Sequence, residues 1–333
     1  MQAHPEIEEE KEADDVVQIT EQRRNIVRQV EYQVGHQCAD HIDRQDQNQD
    51  LKGGDGALLH GLTVSRELRK ARKSKAPARC RVDIGEEEVA MTKSSHIRLG
   101  CAGWSLPRDA GRVFPAQGTH LERYAQVLHA TEINSSFYRP HRPATYRKWA
   151  ASVPEGFSFC VKLPRQISHE KRLRDCTQEL ERCLGEVSEL GAGLGCLLLQ
   201  LPPSLPYEHT PAEAFFAELR ERYGGDLALE PRHASWLEAD AQLRHWRIAR
   251  AAADPSPLPG GGEPGGWPGL RYYRLHGAPR IYHSAYATEW LERLADEVRR
   301  CAQPGVPCWC IFDNTASGAA TENALALQAM LRC

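Results

Sequence analysis

No run of about 20 consecutive apolar residues, the length a helix needs to cross a bilayer, occurs in the 333-residue sequence. Its opening, MQAHPEIEEE, lacks the basic-then-apolar order of a secretory signal. These absences predict a soluble, cytoplasmic chain with no membrane partner. Nor is there any CxxC pair among the eleven cysteines, an odd number, which argues for reduced thiols rather than a disulfide framework. Cys308 and Cys310, two apart, are expected on one packed face of a strand rather than as metal ligands. No HExxH pair appears, and no GxGxxG turn follows the first convincing strand, which disfavours a doubly wound dinucleotide-binding sheet.

Large apolar residues are scarce over residues 1–90, where acidic (Glu6–Asp15), Gln/Asn-rich (Asp43–Asp50) and basic (Arg66–Lys75) stretches alternate. That composition cannot readily bury a core, so residues 1–95 are expected to be a poorly structured N-terminal extension. Residues 1–91 carry 14 basic against 19 acidic side chains and residues 92–333 carry 28 against 26. The basic run therefore reads as a solvated tail rather than a nucleic-acid contact. Met91, just ahead of the first strand, is read as an alternative start.

What is present begins at Ile97. Short β-prone runs alternate with longer amphipathic ones, the pattern of parallel strands joined by helices. Strands are predicted at 97–102, 131–134, 157–162, 196–201, 227–230, 248–253, 271–276 and 307–312. Helices are predicted at 121–129, 144–152, 177–190, 211–223, 236–245, 288–300 and 321–331. The Pro/Gly-rich stretch Pro255–Gly269 replaces a helix with a long loop. Eight such units fit the usual size of a (β/α)8 TIM-type barrel over residues 96–333.

Strand side chains alternate between faces. Alternation groups Glu132 with Asn134, Ser158 and Cys160 with Lys162, Leu198 with Gln200, Glu230 with Arg232, Tyr272 and Arg274 with His276, and Phe312 with Asn314. The opposite faces carry Ile133, Phe159, Val161, Leu227, Leu229, Tyr273, Leu275, Trp309 and Ile311, expected to pack on helices. The polar set then converges at the C-terminal ends of the strands, where barrel enzymes place their chemistry. Buried and unpaired, such charges would each cost several kcal/mol. They must pair with one another, with water or with a ligand, and a self-satisfied salt-bridge network filling the ring is the plainer alternative.

The motifs Gly100–Trp104, Glu132–Tyr138, Phe157–Lys162, Gln200–Ser204, Glu230–Trp236, Arg274–Gly277 and Phe312–Asn314, with Asn323–Ala324, closely resemble, in this order, the YecE-like family, domain of unknown function 72. The resemblance covers Ile97 to the C-terminus and implies a TIM-type barrel without an established reaction. Related barrels of the endonuclease IV-like and sugar-isomerase groups suggest phosphate-ester or sugar chemistry by analogy. After Trp104 the chain departs from the family pattern, with Ser105–Arg108 and Val113–Pro115 in place of its aromatic segment.

The expected activity is acid–base catalysis, of a hydrolase or an isomerase/lyase, on a small anionic ligand. Glu132, Lys162, Glu230 and His276 are the candidate catalytic residues. Asn134, Tyr138, Arg139, Gln200, Arg232, His233, Trp236, Arg274 and Asn314 are the candidates for holding the anion or substrate. Loop cations His141, Arg142, Arg165, His169, Lys171 and Arg172 and aromatics Trp104, Phe137 and Tyr282 lie in the same loops. A divalent metal on Glu132, Glu230, His276 and Asp313 is the competing version. A nucleotide or nucleic-acid binding module, or a metal-dependent phosphodiesterase or endonuclease-like barrel, is the alternative function. His233 also has a plainer reading, a hydrogen bond to backbone near Trp236.

Overall fold

The computed structural model describes residues 97–106, 113–259 and 261–332. The extension predicted over 1–95, its basic run and Met91 lie outside them. Ten strands form one sheet: β1 (Ile97–Ala102), β2 (Ala130–Ile133), β3 (Ser158–Lys162), β4 (Leu194–Gln200), β5 (Leu227–Glu230), β6 (Ala249–Arg250), β7 (Ala252–Asp254), β8 (Gly265–Gly266), β9 (Arg271–Leu275) and β10 (Cys308–Phe312). Their order is β7-β9-β10-β1-β2-β3-β4-β5-β6-β8, with every pairing parallel except β6 with β8.

β7, at one end of that order, and β6, next to the other end, are consecutive in the chain. β6 pairs with β5 and β7 with β9, and only Ala251 separates them, its N–H donating to Leu229 O at 2.8 Å. One predicted strand is thus split between two neighbours, and the mostly parallel α/β sheet curls into a nearly closed, barrel-like ring.

Helices α1 (His120–Ala125), α2 (Pro143–Ala151), α3 (Thr177–Val187), α4 (His209–Arg222), α5 (Asp240–His245) and α6 (Thr288–Cys301) fall between the strands, and α7 (Ala319–Arg332) follows the last. Local chemistry sets their limits. Thr119 caps α1 by accepting from the Glu122 N–H, and Glu122 accepts from the Thr119 N–H in return. Pro143 opens α2, where its fixed φ and missing N–H suit a first turn. On α6, Leu291, Leu294, Ala295 and Val298 form one buried stripe. The predicted helix 236–245 is a 3-10 turn, Ala234–Ala239, followed by α5.

Among the described residues no helix follows the sixth unit, as expected from Pro255–Gly269. That segment instead adds β8 to β6, and a cavity of about 490 Å³ lies between β7, β9 and α6, lined among others by Asp254, Tyr273, Trp290 and Glu297. Among the described residues no helix is long and apolar enough to cross a membrane.

Two apolar layers hold the ring. Ile133, Phe159, Val161, Leu197, Leu199, Leu227, Leu229, Tyr273 and Leu275 pack outward with the helices. Inside, small residues predominate: Ala102, Ala130, Cys160, Cys196, Ala228, Ala249 and Ala251, with Leu198, Leu270, Tyr272, Trp309 and Ile311. This corrects the reading of the last strand. Trp309 and Ile311, expected on the helix side, face inward, whereas Phe312 packs outward with Cys308 and Cys310. The reason is volume: a lumen walled by alanine and cysteine on several strands leaves space that a large side chain from another must fill. Ring closure also demands close approach at β1 and β2, where a Cβ on Gly100 would come within 1.8 Å of Ala130 O. Tyr124 locks that contact, its hydroxyl accepting from the Cys101 N–H at 2.8 Å and donating to Ala130 O at 2.9 Å.

Candidate active site

The inward parity of the strands carries Glu132 (β2), Lys162 (β3), Glu230 (β5) and Arg274 (β9) toward one region at the strand ends, and His276 and Asp313 follow directly after β9 and β10. All six are buried. Arg274 is the hub. Its Nε and Nη2 donate to Glu132 at 3.0 and 2.7 Å, its Nη1 donates to Glu230 Oε2 at 3.1 Å, and Nη2 lies 3.1 Å from Asp313 Oδ2. The planar guanidinium fork suits such a three-carboxylate junction. Tyr272, one turn of the pleat below, donates its hydroxyl to Glu132 Oε2 at 2.9 Å.

His276 sits between carboxylates, Nδ1 at 3.0 Å from Asp313 Oδ2 and Nε2 at 3.0 Å from Glu230 Oε1. Arg232 completes the network, donating to Glu230 Oε1 through Nε at 2.9 Å while its Nη2 lies 3.1 Å from His276 Nε2. With 14 % of its side chain exposed, Arg232 is the network's opening to the outside.

Burial acts to raise the carboxyls of Glu230 and Asp313, but it is outweighed. Arg274, His276 and Arg232 hold Glu230 well below the usual carboxylate range, and Arg274, His276 and Lys162 lower Asp313. For Arg274 the balance is the same in mirror image: burial opposes its charge, and Asp313, Glu132 and Glu230 more than restore it. The plainer alternative, a network of charges satisfying one another, describes this half of the site.

Lys162 does not fit that description. The residue is 4 % exposed, yet its ammonium joins no ion pair or hydrogen bond among the described residues and lies 4.1 Å from the centroid of the Phe137 ring. A cation–π contact contributes about 0.5–2 kcal/mol, less than the several kcal/mol of burying an ion. Burial first, then Arg274, lowers its pKa to about 8 against the pull of Glu132, Glu230 and Asp313. On the flanking strands, Asn134, next after β2, has a buried Oδ1 with no partner, and the Gln200 amide at the end of β4 makes no hydrogen bond among the described residues. Three adjacent strands, β2, β3 and β4, thus end in polar heads left unbonded.

The remaining candidates divide by position. Tyr138, 70 % exposed, Arg139 and Tyr282 project from the rim. His169 stands edge-on to Phe137, and burial together with Lys162, Arg165 and Arg232 lowers its pKa, so several cations act on one point of the mouth. Arg165, Lys171 and Arg172 are tied to Glu170, Glu179 and Ser204, and Arg142 is exposed. His141 packs edge-on against Tyr146 and Trp149, and Trp104 also packs on Trp149.

Three candidates serve the scaffold in this geometry. His233 accepts from the Ser235 N–H as a helix cap, Trp236 is buried with its indole N–H donating to Leu205 O at 3.0 Å, and Asn314 is buried with its amide donating to Ser284 O and Asn323 Oδ1. Conversely, Tyr272 and the acid–base partnership of Asp313 with His276 were not in the candidate catalytic set. Parity alone placed Tyr272 beside Arg274 and could have flagged it. Among the described residues no three His, Cys, Asp or Glu side chains are arranged to hold a metal ion; the four carboxylate and imidazole candidates are turned toward Arg274, Arg232 and one another.

Comparison with known proteins fits this architecture. The family model described as a protein of unknown function, DUF72, matches residues 98–333. The protein YecE of Escherichia coli (strain K12) is 31% identical over 116 residues, a segment that is 35% of this chain and only 41% of that relative. A DUF72 family crystal structure from Thermotoga maritima aligns with a TM-score of 0.58 at 25% identity, covering 71% of this chain and 99% of the other. Another from Enterococcus faecalis aligns at 0.59 and 21% identity, covering 71% and 96%, a likeness of fold.

Proposed function

The chain belongs to the DUF72 family, and from its strand-end chemistry we propose that it is an enzyme, of hydrolase or isomerase/lyase type, performing acid–base catalysis on a small phosphorylated or carboxylated substrate. In this reading residues 96–333 form a (β/α)8 TIM-type barrel, β6 and β7 being one strand interrupted at Ala251, and residues 1–95 stand outside the catalytic unit. The observation that carries the proposal is the buried residue Lys162, whose ammonium has no ion-pair partner among the described residues, with the unbonded Oδ1 of Asn134 and the half-buried Gln200 on the neighbouring strands. An anionic group entering beside it would restore the charge pairing that burial demands.

Roles follow from what each group already holds. Arg274 is occupied by three carboxylates, so Lys162 and the partly open Arg232 would grip the anion, with Asn134 and Gln200 donating hydrogen bonds. His276, oriented through Nδ1 by Asp313, and Lys162 would move protons. Glu230, held ionised by its neighbours, and Glu132, clamped by Arg274 and Tyr272, would supply fixed negative charge and act as bases only when the substrate displaces a partner. A divalent metal on these carboxylates would first have to displace Arg274, and elemental analysis of chelator-free protein checks that version.

Thermal unfolding in the presence of matched pairs, a phosphorylated or carboxylated compound beside its uncharged parent, tests the proposal. At about 100-fold excess over Kd a ligand of the folded state adds about 2.7 kcal/mol, so anions should raise the melting temperature and their parents should not. Equal shifts from both members of each pair would reject an anion site. Exposed Tyr138 and Tyr282 at the rim favour a second reading, nucleotide or single-strand binding by stacking. Salt-dependent retention of polynucleotide without turnover would select it.

A further inference from the structure

Residues 97–333 contain 24 arginines and three lysines, Lys148, Lys162 and Lys171. Lys148 is exposed, and Lys171 donates to Glu179 at 2.7 Å. At the one buried position facing the strand ends, where an arginine would extend the Arg274 and Arg232 network, the chain carries an amine. Guanidinium and ammonium both bind anions, the former through a planar fork and the latter as a point charge, but only the amine loses its proton readily and attacks carbon.

We propose that Lys162 is a covalent catalytic residue that forms a Schiff base with an aldehyde or ketone group of the substrate, which therefore combines a carbonyl with a phosphate or carboxylate. This rests on the anion site argued above and names its substrate class. The geometry supplies what such a lysine needs. Among the described residues no carboxylate lies within ion-pair distance of its ammonium, so no direct ion pair has to break before it reacts. Phe137 covers it on one side, His169 stands against Phe137, and the unbonded heads of Asn134 and Gln200 flank it on the neighbouring strands. A partly neutral amine is also at hand, because the groups acting on it from every side leave its pKa at about 8: burial and then Arg274 lower it, against Glu132, Glu230 and Asp313, which raise it.

The step balances without any redox partner. The ammonium gives up one proton, the neutral amine adds to the carbonyl carbon, and a C–N bond replaces the C–O bond. The carbonyl oxygen departs as water carrying two hydrogens, one from the ammonium's released proton and one from the amine. The protonated imine that remains keeps the single positive charge the ammonium brought. That cation then withdraws electrons from the adjacent carbon, where His276 would move the proton.

The full-length protein treated with pyridoxal 5′-phosphate, an aldehyde bearing a phosphate, and then with sodium borohydride, which delivers hydride to the C=N bond, tests this by peptide mass spectrometry. Lys162 should acquire the reduced adduct at least about tenfold faster than Lys148 at pH 7.5, because about a quarter of an amine with a pKa near 8 is neutral there, against about a thousandth of an ordinary lysine, and the lower intrinsic nucleophilicity of the less basic amine offsets only part of that difference. Its labelling rate should reach half-maximum near pH 8, below the roughly 10.4 of an ordinary lysine. Lys162→Arg should lose this adduct and keep those on the surface lysines. Labelling of Lys162 no faster than Lys148 overturns the proposal. If pyridoxal 5′-phosphate raises the melting temperature but leaves no adduct on Lys162, the covalent role fails and the anion site survives; if it does neither, both fail.

Discussion

On β5, β9 and β10 the strand ends bond to one another: Glu230, Arg274, His276 and Asp313 each have charged partners at 2.7–3.1 Å. On β2, β3 and β4 the corresponding Asn134, Lys162 and Gln200 leave polar heads without protein partners. The border runs through β2, where Glu132 joins the network and Asn134, two residues on, does not. A ring that needed charge only to fill its lumen would satisfy both arcs, or use apolar side chains in both. The division is one of charge rather than of every polar atom, since Asn314 Oδ1 beyond β10 and Asp254 Oδ1 at the end of β7 also lack a partner; a cation left unpaired in one arc, beside a charge network that fixes the other, is what a preorganised site requires.

The comparison can be broken most severely at Arg274. Arg274→Met leaves Glu132 with only the Tyr272 hydroxyl and takes one cation from Glu230 and Asp313, and removing one partner of a buried charge set typically costs about 3–5 kcal/mol. Urea unfolding should show a loss of at least that size, and a loss below about 1 kcal/mol would mean the network does not organise the arc.

Lys162→Met probes the other arc and should behave in the opposite way, since it removes an unpaired buried cation. The sign with pH is fixed by linkage. The folded pKa, about 8, lies below that of the unfolded chain, so between the two the unfolded state binds more protons and wild-type stability rises with pH. Below pH 8 the variant should therefore equal or exceed the wild type by about 1–3 kcal/mol, an advantage that shrinks as pH climbs toward 10. Glu230 and Asp313, with pKa values lowered by folding, run the other way, contributing stability at neutral pH that is lost as pH falls below about 4. Chemical denaturation of the wild type and the Lys162 variant across pH 2–10 reads both slopes.

The smallest effect sharpens the contrast. Asn134→Ala and Gln200→Ala delete no protein hydrogen bond, so stability should stay within about 0.5 kcal/mol, while the anion-dependent rise in melting temperature should diminish. An unchanged rise would remove these amides from the site.

Much of this was legible in the chain. Alternation placed all eight strand segments and, through period-two parity, set Glu132, Lys162, Glu230, Arg274 and His276 on inward faces. What parity could not show was which apolar residues also point inward. Trp309 and Ile311 look like helix-facing residues until the alanines and cysteines of other strands are seen to leave the lumen empty. Reversing that strand is what turns Asp313 inward against Arg274 and His276 and gives Asn314 its partners in Ser284 and Asn323. The split of the sixth strand at Ala251 was equally hidden, because closure depends on neighbours distant in sequence. The unbonded state of Lys162 was hidden too: a lysine among acids reads as paired, and only distances show that arginines took every partner.

Beneath the charges, Tyr272 lies stacked against Trp309, ring centroids 6.1 Å apart, and passes its hydroxyl across the lumen to Glu132 and to Cys160 Sγ. The pair fills the lumen beneath the charged layer, so the floor of the site is built from two stacked rings. Because the same phenol anchors Glu132, a change of shape at the plug is transmitted to the charged layer through one hydrogen bond.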